Sequence, residues 1–308
     1  MLSLRVLAST TGGLVYGRAS YQRQVEDATV GVAFTAFDYR LGKQFSSLDA
    51  HGTEEIASLY GSYPLIRSYN NNLNVQVDFD ERLFQDHIGA TFSTTDKEAS
   101  VLTVGVSGDH RDTFGGGGWD TYYLFGSFGD LNIETAAARA LDAETARTAG
   151  VYAKLSFSAS RLQNIIGPLS LYGAIRGQVA AKNLDISEKM ELGGANGVRA
   201  YPEGEAYGDD GYVATLEARL LLPKWPEKLP GRVQLITFVD NGYVRVNNSP
   251  FASGPNDLTR TGVGVGVIWS APNNFLVTAT YAHLVGGVRA TSYPDNSGMF
   301  WVQIVKYF

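Results

Sequence analysis

Residues 72–82 read NLNVQVDFDER, so Leu73, Val75, Val77 and Phe79 alternate with Asn74, Gln76, Asp78, Asp80 and Arg82. Successive side chains of an extended strand point to opposite faces, and this stretch therefore sets one apolar face against one strongly polar face. The pattern recurs. Val151, Ala153, Leu155 and Phe157 interleave with Tyr152, Lys154, Ser156 and Ser158. Tyr212, Ala214, Leu216, Ala218 and Leu220 oppose Val213, Thr215, Glu217 and Arg219, and Val263, Val265, Val267 and Trp269 oppose Gly262, Gly264 and Gly266.

Working outward from these segments, the alternation predicts fourteen strands, near 2–9, 12–22, 28–42, 54–68, 71–84, 97–110, 118–132, 148–161, 167–182, 211–223, 231–246, 259–271, 274–286 and 296–308. Tight connections at Tyr69–Asn71, Leu162–Ile166 and Ala271–Asn274 fall between long ones at Lys43–Thr53, Ile133–Arg147 and Asn183–Asp210. Short turns at one end and long loops at the other are the arrangement of an antiparallel transmembrane β-barrel. A soluble β-sandwich is the competing all-β reading. It would have to place too many charged side chains against a second packed sheet, whereas a hydrated lumen accepts them. Trp119, Trp225, Trp269, Phe300, Trp301 and Tyr307 near strand ends are read as interfacial girdles. The alanine-rich stretch 134–148 reads as a short helix within a long loop.

Composition agrees. The chain carries 35 glycines, 17 tyrosines and 15 phenylalanines, no cysteine, and only 18% charged residues. Without cysteine there is no disulfide scaffold and no thiolate metal site. A net charge of -6 argues against a nucleic-acid partner, which attracts basic surfaces. No window approaches the run of about 18 apolar residues that a spanning helix needs. A mean hydropathy of -0.09 fits a barrel, whose strands average lipid-facing with lumen-facing residues. Met1–Ser9 has no continuous apolar core before a small-residue cleavage site and is read as strand.

The most informative connection, 177–212, reads GQVAAKNLDISEKMELGGANGVRAYPEGEAYGDDGY. Loops this long are commonly functional or disordered, and Gly193, Gly194 and Gly197 beside Val198, Arg199 and Tyr201 favour a shaped one. It resembles the lumen-entering loop of the haemolysin and haemagglutinin secretion-activation family, the outer-membrane exporters of two-partner secretion within the barrel-assembly superfamily. The loop-tip motif Val-Arg-Gly-Tyr or Val-Arg-Gly-Phe is matched by Val198, Arg199, Ala200 and Tyr201, with alanine where glycine is usual. A Phe-x-Asp-x-Gly motif on the strand after next is matched by Phe238, Asp240 and Gly242. Alternation turns those three to one face, which would direct Asp240 into the lumen, within reach of a bidentate bond from Arg199. If position 200 requires a positive φ, alanine there costs about 1 kcal/mol. The terminal Phe308 after FWVQIVKYF resembles the signal that hands such barrels to the assembly machinery during biogenesis.

The resemblance implies a bacterial outer-membrane location, contact with outer-membrane lipid, and export of a large unfolded partner of haemolysin, adhesin or toxin type, with no cofactor and no enzymatic step. The family's barrel has sixteen strands. Residues 1–308 are therefore expected to form one barrel lacking two N-terminal strands, the plug helix and the periplasmic domains, as in a C-terminal fragment. Such a barrel would not close tightly unless fourteen strands close on their own. A passive pore or structural remnant, and a membrane-protein insertase, are the competing functions.

Other chemistry finds no support. His51, His87, His110 and His283 lack metal-ligand spacing, so no metal is expected. Gly115–Gly118 is followed by no Lys-Ser or Lys-Thr, and Gly126-Ser127-Phe128-Gly129 misses the nucleophile-elbow spacing by one residue.

Overall fold

The computed structural model describes residues 1–9, 13–223, 230–271, 275–292 and 294–306. Its strands are β1 (Leu2–Ala8), β2 (Leu14–Val25), β3 (Ala28–Arg40), β4 (Ala50–Arg67), β5 (Asn71–Ile88), β6 (Ser93–Asp112), β7 (Gly118–Ile133), β8 (Gly150–Ile166), β9 (Leu169–Ala180), the two-residue β10 (Met190–Glu191) and β11 (Tyr207–Gly208), β12 (Asp210–Leu221), β13 (Arg232–Arg245), β14 (Asp257–Ala271), β15 (Phe275–Leu284) and β16 (Gly298–Lys306). Fourteen of them form one sheet in sequence order, β9 passing directly to β12, while β10 and β11 pair only with each other. Every ladder is antiparallel, and among the described residues none joins β1 to β16.

The alternation of the sequence becomes two faces of opposite character. Val77, Phe79, Leu216, Leu220, Val263 and Val265 are exposed on the outer face. Lys97, Glu217, Asp240 and Arg260 are buried on the inner one. A water-soluble domain buries its apolar residues and exposes its charges. The inversion is that of a barrel wall with lipid outside and a polar lumen inside, and the single large sheet leaves no second sheet for a sandwich. Among the described residues no helix is long and apolar enough to cross a membrane.

Three features depart from expectation. β4 begins at Ala50, and β5 and β6 run on to Ile88 and from Ser93 around a 3-10 turn at Gly89–Thr91. These outer rungs are polar because they lie beyond the apolar belt, and polarity concealed them. Gln85 donates to Asp96 at 2.8 Å and His87 pairs with Thr94 at 2.9 Å. The girdle reading fails for Trp301, which alternates with exposed Phe300 and Val302 and so turns inward. It fails also for Trp119, which shares the parity of inward Ser127 and Leu131 and lies under Arg111. Trp225, Tyr307, the turn residues 272–274 and the terminal Phe308 lie outside the described residues. The helix α1 (Ala136–Glu144) stands in the β7–β8 connection.

Two apolar clusters lie inside the wall, and the β9–β12 connection enters both. Leu192, Val198 and Tyr201 pack with Val213, Ile236, Phe238, Val244 and Ala282, whereas Leu184 packs with Phe84, Val101, Leu131 and Tyr152.

Candidate functional site

The connection 181–209 is hydrogen-bonded within itself as well as to the wall. Its tip closes on itself through Leu192 N–H to the Ala206 carbonyl at 3.0 Å, Val198 N–H to Leu192 at 2.7 Å, and Gly194 N–H to Tyr201 at 3.0 Å. Below the tip, the β10–β11 ribbon carries both chains back to the sheet. Backbone groups satisfied within the loop let it leave the wall without a desolvation penalty.

Arg199 projects from this tip onto β13. Its Nε and Nη2 donate to the two oxygens of Asp240, each at 2.8 Å, and its backbone N–H donates to Oδ2 at 3.1 Å. Nη1 reaches Glu217 on β12 at 2.8 Å. The guanidinium lies 3.4 Å from the centroid of the Phe238 ring, a cation over a π face. Asp240, at 0% exposure, accepts a further bond from the Thr215 hydroxyl at 2.8 Å. Glu217 is shared with Arg219, whose Nε donates to it at 2.8 Å. Two cations thus balance two carboxylates, which satisfies the condition for keeping charges out of bulk water. On the far side, Trp301 of β16 donates its indole N–H to the Arg199 carbonyl at 2.8 Å.

The wall is shaped to receive the tip. A Cβ placed on Gly242 would lie 2.9 Å from both Leu192 and Val198, so only glycine lets the tip sit against β13. A Cβ on Gly262 would lie 2.5 Å from the Ala200 methyl. Ala200 does not take a positive φ, and within the connection only Ala206, at 55°, does so without being glycine. The methyl at 200 therefore carries no backbone strain and occupies space that Gly262 leaves.

Three further attachments hold the connection. Glu205, fully buried, accepts from Arg260 Nε at 2.7 Å, from the backbone N–H groups of Thr291 and Ser292 at 2.8 Å, and from the Ser292 hydroxyl. The Tyr201 hydroxyl donates to the Val288 carbonyl at 2.7 Å. Asp209, at the return to β12, holds Lys189 at 2.9 Å and the Leu184 and Asn248 backbone N–H groups.

The structure thus gathers Val198, Arg199, Ala200, Tyr201, Phe238, Asp240 and Gly242 into one site. Glu217, Arg219, Glu205 and Arg260 belong to the same assembly and were not singled out in the sequence, and Trp301, read there as a girdle residue, belongs to it too. The inward parity of Glu217 and Arg219 was visible there, but their partner was not. Among the described residues no group of three His, Cys, Asp or Glu side chains is placed to hold a metal. What the arrangement does chemically is hold a folded connection inside the wall by ionic hydrogen bonds between buried side chains.

Residues 25–268 match the family described as haemolysin secretion/activation protein ShlB/FhaC/HecB. The heme/hemopexin transporter protein HuxB of Haemophilus influenzae is 25% identical over 313 residues, spanning 100% of this chain and 54% of that protein, so the chain spans about half the length of the curated relatives it matches. Among solved structures, CdiB from Escherichia coli aligns over 94% of this chain and 52% of its own, with a TM-score of 0.74 at 15% identity. CdiB from Acinetobacter baumannii aligns over 99% and 53%, with 0.71 at 18%. BamA from Haemophilus ducreyi, lacking POTRA domains 1–3, aligns over 99% and 64% with 0.64 at 13%, a likeness of fold alone.

Proposed function

The chain belongs to the ShlB/FhaC/HecB haemolysin secretion/activation family of outer-membrane β-barrels, and from that premise we propose that it forms the conduit through which a large, unfolded partner protein of haemolysin, adhesin or toxin type leaves the cell. The observation that carries this reading is the bidentate Arg199–Asp240 bond, which pins a folded connection inside the lumen. A simple diffusion pore has no need of a fitted obstruction with a designed seat. The curated relatives are transporters, and the site consists of positioning and charge pairing.

On this reading residues 1–308 supply the barrel, with outer-membrane lipid against the exposed apolar face of the fourteen-stranded sheet. Partner capture falls to periplasmic domains of the kind the family resemblance implies, and entry into the membrane to the barrel-assembly machinery. Neither cofactor nor nucleic acid takes part. The Arg199 seat yields when the partner chain enters, because a bond between charged groups in a wet lumen can be exchanged for bonds to water or to a peptide.

The test is secretion from a full-length transporter carrying this barrel. Arg199→Ala or Asp240→Ala is expected to cut partner secretion about tenfold or more, the scale of losing one or two kcal/mol of seat geometry. Outer-membrane insertion, read by heat-modifiable migration, is expected to persist. Wild-type secretion by both variants removes the pinned-connection mechanism, and failure of the unaltered full-length transporter to secrete any partner removes the export reading. Swelling of liposomes in small sugars at porin rates by the unaltered chain would favour the passive pore.

A further inference from the structure

The tip is not the only place where the connection grips the wall. At its start, Asp185 caps a 3-10 turn, Ile186–Glu188, by accepting from the Ser187 N–H at 3.2 Å. The turn presents Glu188 to the opposite side of the lumen, where it is 5% exposed. Its carboxylate meets Arg82 of β5 at 2.7 Å and Lys154 of β8 at 2.7 Å. Its carbonyl accepts from Lys154 at 2.9 Å and from Gln178 of β9 at 3.0 Å. One rung away, Lys97 of β6 lies 3.2 Å from Asp185 and 3.0 Å from Asp86. Leu184 fills the apolar cluster beneath.

We infer that Glu188 is a positioning residue for the lumen connection, forming with Arg82 and Lys154 a second anchor that acts independently of the Arg199 seat. The two anchors share no side chain: Arg82, Lys154 and Gln178 of β5, β8 and β9 hold Glu188, whereas Glu217, Asp240 and Trp301 of β12, β13 and β16 hold Arg199, with Arg176 of β9 adding bonds to the Glu191 and Asn196 carbonyls at 3.4 and 3.3 Å. The tip is hydrogen-bonded within itself, so it moves as a body on the β10–β11 ribbon. When Arg199 leaves Asp240 the base stays on its own wall. The connection therefore clears the conduit by swinging from an anchored base instead of being drawn out whole. This rests on the export reading for its purpose, but the anchoring is measurable without any partner protein.

The experiment is amide hydrogen exchange, read by mass spectrometry, on the complete chain folded in detergent micelles. Each variant's fold is verified by heat-modifiable migration. Arg199→Ala is expected to speed exchange across 192–206 about tenfold while 184–189 stays within about twofold of wild type, as for separately opening units. Glu188→Gln is expected to do the reverse. Should Glu188→Gln fail to fold, Lys154→Gln, which leaves Arg82 on the carboxylate, must loosen the same 184–189 segment. Uniform loosening of 183–209 by either substitution overturns the proposal, and so does unchanged exchange at 184–189 in Glu188→Gln. Failure of the unaltered full-length transporter to secrete a partner, with this exchange pattern intact, would count against export alone.

Discussion

Ala200 and Gly262 share one small volume, and that pairing explains how alanine replaces the glycine usual at the loop-tip position. Adding a methyl on the β14 side should force the tip off its seat, since Gly262→Ala would bring two carbons to 2.5 Å. Overpacking of this kind costs about 1–3 kcal/mol. Thermal unfolding of the folded chain in micelles should therefore show a lowered midpoint for Gly262→Ala and recovery in the Ala200→Gly, Gly262→Ala double variant. A single variant as stable as wild type would contradict the shared-volume account. At this scale the sequence was partly legible. Arg199 and Asp240 could be paired because their motifs are local and ordered, and the inward parity of Asp240 follows from period two. Arg260 with Glu205, and Glu188 with Arg82, could not, because those partners stand 55 and 106 positions apart with no motif to join them.

Among the elements, strands that cross the apolar belt announced themselves, and the rungs beyond it did not. Val77, Phe79 and Leu83 on β5 are exposed on the outer face, but Gln85 and His87 on the same face are polar, and a reading by hydrophobic alternation stops between them. The β7–β8 connection illustrates the same limit. Its composition indicated a helix, yet its fastening comes from one carboxylate. Asp142 accepts from the Thr148 N–H at 2.9 Å, the Thr148 hydroxyl at 2.8 Å and the Ala149 N–H at 3.0 Å, closing α1 onto the start of β8. Partial burial raises its pKa, but those donors outweigh burial and hold the carboxyl below its ordinary value. A depressed folded pKa means stabilisation that is complete above the unfolded value of about 3.9 and is lost as pH falls through the folded one. Pepsin, active in acid, should nick residues 136–149 of Asp142→Asn faster than wild type at pH 4, and the two rates should converge toward pH 2. Equal rates at pH 4 would show that Asp142 does not fasten the helix.

For the whole molecule, the decisive property is that a polar lumen is crossed by a strut with ionic feet on both walls. Because β9 pairs directly with β12, with Gln178 opposite Gly211, the connection contributes nothing to sheet continuity. Replacing residues 183–208 with a short Gly-Ser linker should leave the sheet intact and expose the seat to water. Asp240 then regains hydration, so this deletion avoids the penalty of a buried, unpaired carboxylate, which is about 3–5 kcal/mol where the covering tip remains. The linker variant should therefore fold at least as well as Arg199→Ala, and in planar bilayers it should pass a current several-fold larger than the unaltered chain. A channel with unchanged conductance would mean that ions already bypass the strut. In that case the connection could not be the element that opens the proposed conduit, and ions would have to pass beside it, as along β1–β4, where no side chain of the connection makes a described bond to the wall.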